Sequence, residues 1–176
     1  MEIFYEYLVK RERTKNDKKI SFLCNAMAVM VTIFAMFVLG LFMRGWEFLI
    51  IVAVWYGAMR LKAKTNVEYE YILTNSILDV DRIVDQQKRK RVISVDFKNI
   101  EGCEPKPVGG AAEIHGGREI LNLTGNINGK NVYYVDFYKA SERCRLYFQP
   151  NDKMLEYLKT INPRRVVLAE KTGDEQ

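Results

Sequence analysis

Histidine is nearly missing from this chain, with His115 alone among 176 residues. The three cysteines, Cys24, Cys103 and Cys144, form no C-x-x-C pair and no zinc-type spacing. These scarcities leave little for metal binding or nucleophilic catalysis. His115 sits in a glycine-rich stretch near Glu113, Arg118 and Glu119, with no partnered nucleophile at a recognisable spacing. An enzyme would need a charged pocket assembled from Lys106, His115, Arg118 and nearby acids, which nothing in the spacing suggests. No catalytic residue, cofactor or metal is expected, so the chain reads as a non-enzyme. The cysteines read as reduced, partly buried thiols, since a Cys103–Cys144 disulfide would require an oxidising compartment.

Charge is absent over an unusually long run. From Ser21 to Met43 no residue is charged. As a helix this run is about 34 Å long, enough for a hydrocarbon core of about 30 Å. A soluble core around so long an apolar rod would need more chain than remains. A signal peptide fits poorly, because about twenty mostly polar and aromatic residues precede the run. A second apolar run, Phe48 to Met59, is shorter. Counted from Gly45 to Lys62 it reaches roughly 27 Å, with Trp46, Trp55 and Tyr56 suited to the interface and Arg60, Lys62 and Lys64 able to snorkel. Residues 20–64 are therefore expected to form two transmembrane helices, about 20–43 and 45–63, turning between Gly40 and Gly45. One span plus an interfacial helix is the alternative. Residues 1–19 read as a basic N-terminal segment that an interfacial helix would suit. Neither span carries an ionisable residue near its middle, which argues against a transporter acting alone.

The net charge of +5 lies entirely in the first part of the chain. Residues 1–64 hold ten Lys/Arg against five Asp/Glu, whereas residues 65–176 hold seventeen of each. The excess flanks the apolar runs instead of forming a phosphate-binding patch, so nucleic acid is not an expected partner. Lys10, Arg11, Arg13, Lys15, Lys18 and Lys19 precede the first run, and Arg60, Lys62 and Lys64 follow the second, with Arg44 alone between them. The positive-inside rule then predicts a multi-pass protein of the cell membrane with both termini cytoplasmic.

After Lys64 the apolar period changes to two. Val67, Tyr69, Tyr71 and Leu73 alternate with Glu68 and Glu70, and Ile77–Val84 and Val92–Phe97 continue the pattern. Gly102 to Gly117, with two prolines and five glycines, reads as a long loop. Strands resume at Glu119–Thr124, Asn131–Tyr138 and Arg143–Gln149, with Asn128-Gly129 as a hairpin signal between the first two. Asn151 or Asp152 caps a helix whose stripe is Met154, Leu155, Leu158 and Ile161. Six or seven antiparallel strands and one helix are expected over 65–165, with 166–176 as a disordered tail.

The strand pair opening EYEYILTNSILDVDR and the following KRKRVISVDFKNIE, with Ile93, Asp96 and Ile100 in an I..D…I phrase, are the motifs that carry a likeness. Placed behind two N-terminal spans, they resemble the bacterial pleckstrin-homology-like membrane proteins over about residues 20–162, departing in the 102–117 loop. The resemblance implies a membrane-anchored α+β chain: a helical hairpin followed by a half-open PH-like antiparallel barrel of two sheets, plugged by the C-terminal helix. It implies no particular activity.

Lys88, Arg89, Lys90 and Arg91 form the densest basic cluster. They are the expected contact for anionic lipid or an acidic partner, against the alternative of a solvated hairpin tip that discourages edge pairing. The aromatics at period two read as barrel core. The function read from these features is a binding or scaffold module at the cytoplasmic face. Its partners would be the lipid bilayer and a membrane or cytoplasmic protein, or a second copy of itself. The alternative is an accessory subunit of a membrane transport or secretion complex.

Overall fold

A computed structural model describes residues 4–39, 47–107 and 119–169. Within them the chain runs β1 (Phe4–Lys10), α1 (Lys15–Phe34) with a π-helical continuation (Ala35–Leu39), then α2 (Glu47–Ala63). Next come β2 (Val67–Thr74), β3 (Ile77–Val84), β4 (Lys88–Asp96), β5 (Gly102–Pro105), β6 (Glu119–Asn122), β7 (Tyr133–Lys139), β8 (Glu142–Phe148) and α3 (Asp152–Ile161). The expected turn with Gly45, Arg44 and Trp46, the loop residues Glu113, His115 and Arg118, and the tail beyond Ala169 lie outside the described residues.

The first finding corrects the expected domain boundary. Phe4–Lys10 is a strand, not part of a basic lead-in, and pairs antiparallel with β2 from Phe4↔Thr74 to Lys10↔Glu68. Tyr5, Tyr7 and Val9 alternate with Glu6 and Leu8, and their more covered side faces inward. The helices are thus inserted between two hydrogen-bonded strands. The chain divides accordingly into two compact units. One comprises residues 1–11, 68–83 and 89–176, and the other residues 12–67 with the turn 84–88.

The strand unit has two sheets, ordered β1-β2-β3-β4 and β5-β7-β8-β6. Tyr71, Leu73, Leu78 and Val80 of the first sheet, and Val135, Leu146 and Phe148 of the second, are fully buried. Edge-to-face contacts of Phe148 with Tyr71 and Phe97 join the two layers. Asn151 caps α3 by accepting from the Met154 amide at 3.0 Å, and the helix buries Met154, Leu155 and Leu158.

Two further expectations change. Gly102–Pro105, read as loop, is strand β5, held by pairing with β7 and by the buried Cys103. The Asn128-Gly129 hairpin does not form, because β6 runs parallel to β8 instead of pairing with β7. Asn126–Gly129 is a local turn closed by the Gly129 amide on the Asn126 carbonyl. The tail is shorter than expected: Val166 is fully buried and bridges Cys103 in parallel along the free side of β5. All three thiols are free. Cys103 and Cys144 flank β7 from opposite sides, opposite Val135 and Phe137, and two strand spacings of about 4.8 Å exceed the reach of a disulfide.

Gly125 marks where the loop after β6 crosses β1. A Cβ there would stand 2.7 Å from Val9 Cγ1 and 2.8 Å from the Lys10 carbonyl oxygen. Gly125→Ala is expected to cost about 1–3 kcal/mol through overpacking against backbone that cannot retreat. A lowered melting temperature would report it, and an unchanged one would mean that β1 does not pack there.

In the helical unit, α1 and α2 run antiparallel. Trp55 Nε1 donates to Thr32 Oγ1 at 3.2 Å, and Lys62 donates to the Asn25 amide oxygen. The buried residues along the described helices are alanines: Ala28, Ala35 and Ala58. Phe22, Met30, Phe34 and Phe37 of the first helix, and Phe48, Leu49, Tyr56 and Met59 of the second, are exposed. Small residues inside and bulky apolar ones outside invert the pattern usual for helices that face water.

Candidate functional site

The four candidate cations at the start of β4 do not act together. Arg89 forms ion pairs with Glu70 and, at 2.6 Å, with Asp81. Arg91 pairs with Asp79 at 2.9 Å and Asp81 at 3.1 Å. Burial alone would raise the pKa of Asp81, but the hydrogen bonds from Arg89 and Arg91 outweigh it and hold the carboxyl below its usual range. Both arginines are thus committed to an acidic ladder on β2 and β3. Lys88 and Lys90 are exposed and, among the described residues, make no ion pair.

The second sheet carries another closed polar network on its outer face. Arg145 makes a two-pronged contact with Asp136 at 2.7 Å per bond and stacks 4.1 Å above the Tyr134 ring. The Tyr134 hydroxyl donates to Glu104. Burial first, and that carboxylate second, push the Tyr134 pKa up to about 12. Arg143 pairs with Glu101 at 2.8 Å and covers Tyr138. Every charge in this set has a partner, so the face offers stability but no free anion or cation.

Two concavities are lined by described residues. A shallow groove of about 610 Å³ runs beside Tyr5, Tyr7, Lys130, Gln149 and Lys153. Its wall is pinned where Asn151 donates to the Tyr5 hydroxyl at 2.6 Å. A smaller cleft of about 130 Å³, wholly within the helical unit, is lined by Arg60, Lys64, Asp85 and Lys88. Sequence reasoning missed this grouping. Arg60 and Lys64 explained themselves as flanking charges, and no local spacing links them to Lys88.

Two sheets sharing one core, closed by a C-terminal helix, define a PH-like domain, here carrying a helix pair between its first and second strands. The chain belongs to the family described as Bacterial PH-like domain (DUF6106), which matches residues 1–168. That span takes in β1, both helices and the buried Val166. No curated protein and no solved structure matches the chain.

Proposed function

We propose that the protein is a non-enzymatic binding or scaffold module, with its PH-like domain held at the cytoplasmic face of the cell membrane by a two-span helical hairpin. The observation that carries the reading is connectivity. Lys10 and Glu68 are paired neighbours, and everything between them is the helical insert. A single crossing between them would put β1 and β2 on opposite sides of the bilayer and forbid their hydrogen bonds. Only an even number of crossings is compatible with the sheet.

The helices supply two crossings. Residues Lys15–Phe37 form a 23-residue helix whose most apolar 18-residue window has a mean hydropathy of 2.1, long enough to span alone. The 17 residues of α2 reach about 26 Å and span with slight bilayer thinning and snorkelling of Arg60 and Lys62. The outward Phe, Met and Leu side chains of both helices support contact with lipid. The PH-like fold supports binding in place of catalysis, and the excess of flanking cations supports cytoplasmic termini.

Single cysteines at Asn128 or Gly45, in a background lacking the native three, test this in intact cells. A membrane-impermeant thiol reagent is expected to label position 45 and to reach position 128 only after lysis. Labelling at 128 in intact cells would overturn the orientation.

A further inference from the structure

Three cations that make no ion pair among the described residues line one cleft. The turn between β3 and β4 packs against the end of α2, where the Asp85 amide donates to the Asn66 carbonyl at 2.9 Å. The cleft between them is lined by Arg60, Ala63, Lys64, Val84, Asp85 and Lys88. Among the described residues, Arg60, Lys64 and Lys88 form no ion pair, in contrast to Arg89 and Arg91 just beyond. Asp85 is the single acid in the lining, so the cleft carries a surplus of two positive charges.

Arg60 lies in the last turn of α2 and Lys64 in the turn that follows its end at Ala63, and both line the cleft. Lys62 points elsewhere, to Asn25. The Arg60 guanidinium rests over the Tyr56 ring at 5.9 Å, which orients it while leaving its N–H edge for an anion. A volume of about 130 Å³ is well below the roughly 300–1,000 Å³ of sites for drug-sized ligands, and suits one tetrahedral oxyanion. The position along the chain is equally telling. Arg60 and Lys64 stand just past the apolar stretch Phe48–Met59, whose bulky side chains Phe48, Leu49, Tyr56 and Met59 are exposed, which is headgroup depth for a helix that spans.

We propose that the Arg60–Lys64–Lys88 cleft binds a phosphate group, supplied by the headgroup of an anionic phospholipid in the leaflet where α2 ends. The lipid source rests on the anchored reading above, while the phosphate chemistry does not.

The test is calorimetric titration of the full chain in neutral detergent with short-chain phosphatidylglycerol, short-chain phosphatidylcholine and inorganic phosphate. Saturable binding of phosphatidylglycerol is expected, with phosphatidylcholine at least about tenfold weaker, because its choline cancels the phosphate charge. Lys88→Gln should weaken binding about fivefold, and the Arg60→Gln/Lys64→Gln/Lys88→Gln variant should abolish it with helix content unchanged. Lys90→Gln, outside the cleft on the same strand, should bind as the parent does. Undiminished binding in the triple variant, or an equal loss in Lys90→Gln, would overturn the site. Inorganic phosphate binding as tightly as phosphatidylglycerol would overturn the lipid source in favour of a soluble phosphate. Failure of the anchor would appear separately, in the cysteine labelling.

Discussion

A chain in which residues 11–67 are replaced by Asn-Gly is expected to fold as a water-soluble domain, whereas a chain beginning at Thr65 is expected to aggregate. Lys10 and Glu68 face each other in the ladder, so their Cα atoms are within about 5.5 Å and a two-residue turn can join them. The shortened chain keeps α3 and all eight strands, β2 without its first residue Val67, and loses the apolar helices with their short flanks. The second chain loses β1. Tyr5 and Tyr7 would no longer pack on Tyr157 and Tyr71, at ring separations of 5.7 and 6.3 Å. The loop at Gly125 would lose its floor, and β2 would become a naked edge. Removing two half-buried tyrosines, Val9 and a seven-residue ladder costs on the order of 5 kcal/mol or more, comparable to the entire stability of a small domain. Size-exclusion chromatography with far-ultraviolet circular dichroism separates the outcomes. A monomeric, folded chain from Thr65 would show that β1 is dispensable.

The second large effect is expected at Tyr71, whose side chain is fully buried. Its hydroxyl donates to the Leu123 carbonyl at 2.7 Å and accepts from the Gln149 amide at 3.2 Å. One phenol thus ties β2 to the backbone just beyond the ends of both β6 and β8 in the opposite layer. Tyr71→Phe keeps the ring contacts and leaves two buried backbone groups unpaired, at about 1–3 kcal/mol each. A loss of about 2–6 kcal/mol is expected from urea unfolding of the excised domain. The same group sets an alkaline limit. Burial raises the Tyr71 pKa far above its ordinary value, so its contribution is intact below about pH 10 and declines as pH rises past the unfolded value. In Tyr71→Phe this part of the alkaline decline should vanish, while Tyr133 and Tyr134, also shifted upward, keep theirs. An unchanged urea midpoint would mean that the two backbone groups find other partners.

Legibility in the sequence followed the strength of the periodic signals. The strands β2, β3, β7 and β8 and the helix α3 have clean apolar periods and were read close to their true bounds. The family was legible for the same reason, through the EYEYILTNSILDVDR pair. The strand β1 was hidden because its alternation is short and stands in a basic lead-in, so charge overrode pattern. The strand β5 was hidden by Gly102 and Pro105, turn residues that here end a four-residue strand whose one inward anchor is Cys103. Asn128-Gly129 misled because a local turn preference does not specify what the flanking strands pair with, and β6 takes β8. The basic cluster was legible as four charges but not as two pairs of opposite fate. Ion pairing across β2 and β3, and proximity to α2, are properties of the fold alone.

The pairing of β1 with β2 also has a consequence in time. β1 leaves the ribosome before β2, and its partner lies 58 positions later, from Lys10 to Glu68. At about 5–20 residues per second, β1 waits roughly 3–12 s before it can be completed. In that interval Glu6 and Lys10 are what keep a strand bearing Tyr5, Tyr7 and Val9 from pairing with the wrong chain. The sheet can close only after the whole helical insert has been made and the chain has come back beside β1. Closure of the first ladder therefore waits on the insert, and a chain whose insert goes astray is left with an unfinished edge at β2.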